Sequence, residues 1–328
     1  VLETTLRARL EAHEADEYDA FVATARSGSF AQLRDYETLA TSDRPFTARY
    51  FLAKEAGKLV GTALVLRSRL GRFPLPFAQV ERGPVVDDLE RLPEVVRALR
   101  RALAVRGVAR VAVMPYVSGP AREEVERRLS AQRFRAVDDP AGSHVLTLRM
   151  PIDAPKASDV YAGSFRKTLR YELKHAEKTG VVCTRARGEE AFGFVKLSQA
   201  AMAAQGKAGK SDAFGRALAT VTTRSDRIAV FVAREGDELV GAVVMARTDD
   251  RLTLLLGATS LEKKPYSKMS PPLAEAIAWG RSLGAKELDL GGIPRRDDPD
   301  TKRKAIAAFK YGFSRDEVDL VREHVRWL

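Results

Sequence analysis

The feature that most constrains this chain is an internal repeat. Residues 51–67 read Phe-Leu-Ala-Lys-Glu-Ala-Gly-Lys-Leu-Val-Gly-Thr-Ala-Leu-Val-Leu-Arg, and residues 231–247 read Phe-Val-Ala-Arg-Glu-Gly-Asp-Glu-Leu-Val-Gly-Ala-Val-Val-Met-Ala-Arg. Without a gap they coincide at Phe51/Phe231, Ala53/Ala233, Glu55/Glu235, Leu59/Leu239, Val60/Val240, Gly61/Gly241 and Arg67/Arg247. Each copy is a β-prone run, a polar turn and a second apolar run, the pattern of a hairpin. The segment downstream of each hairpin repeats too. After the first hairpin, Leu92, Val95, Val96, Leu99 and Leu103 fall at helical spacing, Gly107 stops the helix, and residues 108–113 read as a strand. After the second, Pro271-Pro272 open a helix through Leu273, Ile277 and Leu283, Gly284 stops it, and residues 287–290 read as a strand running into Gly291-Gly292. Hairpin, helix and strand, twice over, predict an α/β (mixed α+β) chain built from two copies of one domain, with the boundary near residues 150–155.

Composition agrees with this division. The chain has 328 residues, 45% hydrophobic and 30% charged, which is enough for two ordinary cores. No run of 18 apolar residues occurs, so no membrane-spanning helix is expected. Cys183 is the single cysteine, which excludes a disulfide scaffold and suits a reducing, cytoplasmic setting. Its surroundings, Val181-Val182-Cys183, predict a buried structural thiol. The histidines, His13, His144, His175 and His324, show no metal-ligand spacing, so no metal is expected. Fifty-five Lys and Arg against 44 Asp and Glu give +11, an excess that favours a polyanionic partner (nucleic acid, nucleotide phosphates or an anionic membrane) over a role in solubility alone.

Three segments could carry chemistry. Gly206-Lys207-Ala208-Gly209-Lys210-Ser211 imitates a phosphate loop, but Ala204 stands where the first glycine belongs and a helix precedes it; it reads as a solvated basic loop. Residues 164–180 read as a helix with Ser164 as N-cap and Gly180 at its end. Phe165, Leu169, Leu173 and Ala176 form its apolar stripe, and Arg166, Arg170, Lys174 and Lys178 a basic one suited to phosphate. The third segment is Gly291-Gly292 followed by Phe309-Lys310-Tyr311-Gly312-Phe313, which places a lysine between two aromatics where it can be desolvated.

Taken together these motifs resemble the FemABX family of aminoacyl-tRNA-dependent peptidyltransferases, which build peptide bridges of bacterial cell walls. The resemblance runs nearly end to end: Glu17-Tyr18-Asp19-Ala20-Phe21-Val22, Ser29-Phe30-Ala31-Gln32 and Tyr36; Arg82-Gly83-Pro84-Val85-Val86; the helix from Arg166 to Gly180; Leu288-Asp289-Leu290-Gly291-Gly292; and Phe309-Lys310-Tyr311-Gly312-Phe313. It implies two tandem acetyltransferase-like (GNAT) domains, residues 1–150 and 151–312, with residues 313–328 returning to the first. No heptad insertion is visible, so the chain resembles the shorter, armless FemX-like branch. The armless cell-wall enzymes usually have a lysine shortly after the aromatic matched by Tyr36, where it helps hold a nucleotide-sugar diphosphate. Here Glu37-Thr38-Leu39-Ala40 has no base, which argues against a nucleotide-linked muropeptide acceptor and leaves a lipid-linked precursor or a smaller amine.

The activity so implied is transfer of an amino acid from aminoacyl-tRNA to an acceptor amine, such as that of a peptidoglycan precursor, forming an amide. The ester is already activated, so the chemistry asks for positioning and charge stabilisation rather than an enzyme nucleophile or a cofactor beyond the tRNA co-substrate. The resemblance places Lys310 at the catalytic position, with Phe309 positioning it as part of the substrate-binding site, and Arg82, Arg166, Arg170 and Tyr171 as binders of acceptor or tRNA phosphates. Two other readings compete. One is an acyl-CoA N-acyltransferase on the same fold, although the Gly-rich pyrophosphate turn usual there is missing from residues 257–272. The other is a non-catalytic module binding RNA or another anion.

Overall fold

The computed structural model describes residues 2–68, 76–138, 145–153 and 165–328. It divides into two compact units, residues 1–146 with 318–328, and residues 147–317.

The first unit runs β1 (Glu3–Arg7), α1 (Ala12–Thr24), α2 (Arg34–Ser42), β2 (Phe46–Glu55), β3 (Lys58–Ser68), β4 (Phe77–Val80), β5 (Val85–Val86), α3 (Leu92–Ala104), β6 (Arg110–Val113), α4 (Pro120–Ala131) and β7 (Arg135–Ala136). The second runs β8 (Leu146–Pro151), α5 (Lys167–Lys178), β9 (Val181–Ala186), α6 (Phe192–Ala203), α7 (Asp212–Arg224), β10 (Ile228–Glu235), β11 (Glu238–Arg247), β12 (Arg251–Thr259), α8 (Ser270–Ser282), β13 (Glu287–Gly292), α9 (Thr301–Lys310) and β14 (Asp316–Asp319). A last strand, β15 (His324–Trp327), closes the chain. The first sheet has the order β1-β2-β3-β4-β6-β15-β7, with β5 beside β3; the second has the order β14-β8-β13-β12-β11-β10-β9.

The repeat seen in the sequence is a repeat of pairing. In β2–β3 and in β10–β11 the ladder slips once, after Ala53 and after Ala233, which are matched residues. The matched glycines Gly61 and Gly241 then lie where a side chain has no room. A Cβ on Gly61 would meet the Val95 methyls at the start of α3, and one on Gly241 would run into the Lys268 carbonyl just before α8. The matched glutamates are tied to the same neighbourhood. Glu55 pairs with Arg91 at 2.8 Å and Glu235 with Lys264 at 2.7 Å, each base preceding the helix that comes after its hairpin. Both copies thus fasten a helix to a hairpin with a close approach at the matched glycine and an ion pair from the matched glutamate.

That helix is the crossover of a parallel strand pair, β4 with β6 through α3 and β12 with β13 through α8. In the first unit the strands present apolar residues to both faces. Tyr50, Leu52, Leu64 and Leu66 pack with Tyr18 and Val22 of α1 and Ala40 of α2. Phe51, Ala53, Ala63 and Val65 pack with Leu99 and Leu103 of α3 and Leu129 of α4. Both faces being covered, these strands read as nearly unbroken apolar runs. The basic loop after α6 is preceded by a helix, and its Lys210 ammonium lies 4.4 Å from the Phe214 ring centroid.

Two local readings are corrected. Cys183 is half-buried, because β9 lies at the edge of its sheet; burial nonetheless pushes its thiol up to about 12, far from a nucleophile's range. The basic helix begins at Lys167, with Arg166 as its N-cap residue; Ser164, expected as the cap, lies outside the described residues.

Candidate active site around Lys310

The site is built where two strands part. β12 and β13 pair only at Arg251–Thr253 against Glu287–Asp289. Gly291 then takes φ 74°, and the ladder of β13 with β8 is irregular between Asp289 and Gly292. A Cβ on Gly291 would stand 3.0 Å from the Leu254 carbonyl oxygen and 3.6 Å from Lys310 Nζ. Only glycine therefore combines this backbone angle with this crowding.

α9 delivers Lys310 to the gap. Its N-cap, Asp300, accepts from the backbone N–H groups of Lys302 and Arg303 at 2.9 and 3.0 Å. Lys310 is its last residue, and the side chain turns inward, 9% exposed. Nζ donates to the Gly292 carbonyl at 2.7 Å. Asp289, buried on β13, accepts from the Gly291 N–H at 2.7 Å and from the Thr147 hydroxyl. Burial pushes the Lys310 ammonium down to about 8, and the Asp289 carboxylate resists that fall. The result is a desolvated, oriented cation, mostly protonated at neutral pH, at the mouth of two diverging strands.

Phe309 is half-buried and packs edge-on against Phe313 at 5.3 Å, and Phe313 against Phe165 at 4.9 Å. Tyr311 donates to Glu317 at 2.7 Å, which also pairs with Arg296 at 3.1 Å. Arg166 acts on the backbone here. Its N–H donates to the Gly312 carbonyl at 2.9 Å, and its guanidinium donates to the Ala308 carbonyl at 2.8 Å. It thereby brackets Lys310 on both sides along the chain. Arg170 and Tyr171 are exposed on α5, with Tyr171 stacked on His175 at 6.1 Å.

The structure therefore brings Lys310, Phe309 and Arg166 together and sets Arg170 and Tyr171 on the adjoining helix surface. Arg82 belongs to the first unit. It takes φ 53° ahead of the cis Gly83–Pro84 bond, and its guanidinium lies 5.6 Å from the Tyr116 ring centroid. Sequence reasoning misses Asp289, Thr147 and the parting of the strands at Gly291 as parts of the site. The one signal for Asp289 is an acid alternating with leucines in Leu288-Asp289-Leu290.

In the first unit the segment after Tyr36 is spent internally. Tyr36 donates to Glu81 at 2.9 Å, Arg44 pairs with the same carboxylate, and Glu37 accepts from the Tyr50 hydroxyl. Among the described residues no cluster of His, Cys, Asp and Glu suited to a metal is present, and no helix is long and apolar enough to cross a membrane.

Residues 163–304 match the acetyltransferase (GNAT) domain family. No curated protein matches the sequence. Among solved structures, FemX is similar at TM-score 0.85 and 16% identity, covering 99% of this chain and 97% of that one. L-PGS from Bacillus licheniformis is similar at 0.61 and 12% identity, covering 97% and 91%. A tandem GNAT protein from the clavulanic acid biosynthesis pathway gives 0.57 and 13%, covering 100% and 98%. The domain match and the fold support an acyltransferase-type enzyme. The chain has the fold of FemX, two GNAT-type units in tandem, and its second unit carries the residues that match the GNAT domain family.

Proposed function

We propose that the protein is an aminoacyltransferase that moves an amino acid from aminoacyl-tRNA to an acceptor amine, forming an amide. The observation that carries this reading is Lys310: a desolvated ammonium, hydrogen-bonded to the Gly292 carbonyl, held where β12 and β13 part in a GNAT-type unit. The acceptor nitrogen attacks the ester carbonyl and a C–N bond forms. The carbonyl oxygen takes up negative charge, the ester C–O bond breaks, the acceptor loses a proton and the ribose oxygen gains one. Lys310 stabilises the oxyanion, the Asp289 carboxylate supports the charge of Lys310 and holds the Gly291 turn, and Arg166 fixes the turn that presents it. No covalent enzyme intermediate is required, in keeping with the raised pKa of the half-buried Cys183 thiol.

The loop between β12 and α8 favours this donor over acyl-CoA. Lys264 pairs there with Glu235, Glu238 and Glu262 at 2.7, 3.1 and 2.9 Å, and the Lys268 ammonium is bound to the carbonyls of Ser260 and Glu262. Three carboxylates and a lysine that fills its own loop make a poor cradle for a pyrophosphate. A tRNA donor places the reaction in the cytoplasm, and the excess of basic residues suits it.

For the acceptor we infer a lipid-linked peptidoglycan precursor or a smaller amine. Thr38 and Ala40 offer no base, and Arg44 is held by Glu81. The test is transfer of labelled amino acids from a charged total tRNA pool to a panel of amines, with acyl-CoA donors run alongside. Amide formation from charged tRNA is expected, with soluble nucleotide-muropeptide a weak acceptor. Transfer from acyl-CoA alone would replace this reading with the N-acyltransferase one.

A further inference from the structure

In the first unit, α3 carries Arg97, Arg100 and Arg101, and Arg106 lies just past its end. β1 runs beside the helix, leaving a groove of ≈ 840 Å³ floored by Leu6, Ala98 and Ala102 and rimmed by Arg97, Arg101 and Arg106. On the other flank, Arg133 sits in the turn after α4 at φ 63°, and Arg326 of β15 donates to the Gln132 carbonyl. Arg326 lies opposite Val111, whose side chain belongs to the core shared with α3. Its pKa is pushed down by burial and then by the guanidiniums of Arg100 and Arg133, so these three share one neighbourhood.

These charges are unusually bare. Among the described residues no carboxylate pairs with Arg97, Arg100, Arg101 or Arg133, and the buried Nε of Arg100 has no hydrogen-bond partner. Glu94 is the one acid lining the groove, while Arg7 beside it is already met by Glu14 at 3.0 Å. Helix α4 behaves differently: Arg128 pairs with Glu124 and Glu90, and Arg127 with Glu124. A helix C-terminus welcomes Arg101 and Arg106, but it does not account for Arg97, Arg133 or Arg326. Like charges that outnumber the acids among them repel one another and hold a field that an anion would relieve.

We propose that this face of α3 binds the phosphate backbone of the tRNA, as a surface additional to the residues around Lys310; the proposal rests on the aminoacyl-tRNA reading above. Guanidinium forks suit phosphate oxygens, and a row of them along a groove can track successive phosphates. An anionic membrane is the poorer fit, because the groove is concave and Val105 is the one large apolar side chain it leaves exposed.

The test compares full-length wild type with Arg97→Gln/Arg101→Gln/Arg106→Gln in titrations with uncharged tRNA between 50 and 200 mM salt. If the three arginines neutralise three phosphates, wild-type affinity falls about 40-fold more than that of the variant over this range. Thermal melting confirms that the variant is folded; should it not be, Arg97→Gln and Arg101→Gln alone are each expected to reduce the salt slope by about 0.9. Equal affinities and slopes for variant and wild type would overturn the proposal and leave the aminoacyl-tRNA reading standing. Absence of tRNA binding by wild type at 50 mM salt would sink that reading and this proposal with it. Unchanged tRNA binding with lost binding to phosphatidylglycerol vesicles would assign the face to a membrane instead.

Discussion

Replacing Gly291 by alanine tests whether the parting of β12 and β13 builds the site. At φ 74° a side chain costs about 1–2 kcal/mol. The new Cβ would stand 3.0 Å from the Leu254 carbonyl oxygen, a backbone atom that cannot swing aside, and overpacking of this kind adds about 1–3 kcal/mol. The loss is therefore about 2–5 kcal/mol, and for a unit of this size the melting temperature should fall by about 4–20 °C. The chemistry should suffer separately. Relief of the contact with Leu254 shifts the Gly291 backbone, and with it the adjoining Gly292 carbonyl that holds the Lys310 ammonium, while the new Cβ itself lies in ordinary contact with Nζ at 3.6 Å. A displacement near 1 Å costs about 10²-fold in rate. Calorimetry measures the first effect, and single-turnover transfer, at a temperature where the variant is folded, measures the second. An alanine variant with wild-type melting and wild-type rate would refute the argument that Gly291 sets the strands apart.

The same geometry sets further outcomes. Burial holds Lys310 at about 8, so its ammonium is present below that pH and lost above it; transfer to an acceptor amine that titrates well below 8 should show a descending limb near pH 8. Asp289→Asn removes the charge that raises Lys310, so that limb should move to lower pH. Arg166→Gln should lower the transfer rate about tenfold through the loosened Ala308–Gly312 turn with tRNA affinity unchanged, whereas Arg170→Glu with Lys174→Glu should weaken tRNA binding at low salt and leave the rate from bound donor intact. Titration of tRNA in single-turnover assays separates these two effects.

Much of the fold is legible in the sequence because it repeats. A slip of the ladder after Ala53 and after Ala233, and a glycine two places beyond each matched leucine, are local devices that leave local traces. The helix bearing Lys310 is visible as a motif, but the direction of its side chain is not. Thr147, Asp289 and Lys310 are far apart along the chain, and nothing in their separate neighbourhoods says that they meet. Arg166 illustrates the opposite failure. Its spacing with Arg170, Lys174 and Lys178 describes a basic stripe, yet it stands at the N-cap position without capping the helix with its side chain and spends its hydrogen bonds on Ala308 and Gly312. Periodicity reports which face a residue occupies and is silent on which carbonyl it finds. The bare arginines of α3 are likewise invisible, since a charge is unpaired only with respect to the folded surroundings of Arg133 and Arg326.

The most direct test of the account is single-turnover transfer from aminoacyl-tRNA by wild type and by Lys310→Ala, with saturating acceptor. Loss of one preorganised cation from the oxyanion should cost roughly 3–4 kcal/mol, or ~10²–10³ in the transfer step, with tRNA and acceptor still bound. Lys310→Arg should recover little, because a planar fork does not fit the place of a buried point charge. A folded Lys310→Ala protein that transfers at the wild-type rate would contradict the assignment of the chemistry to Lys310.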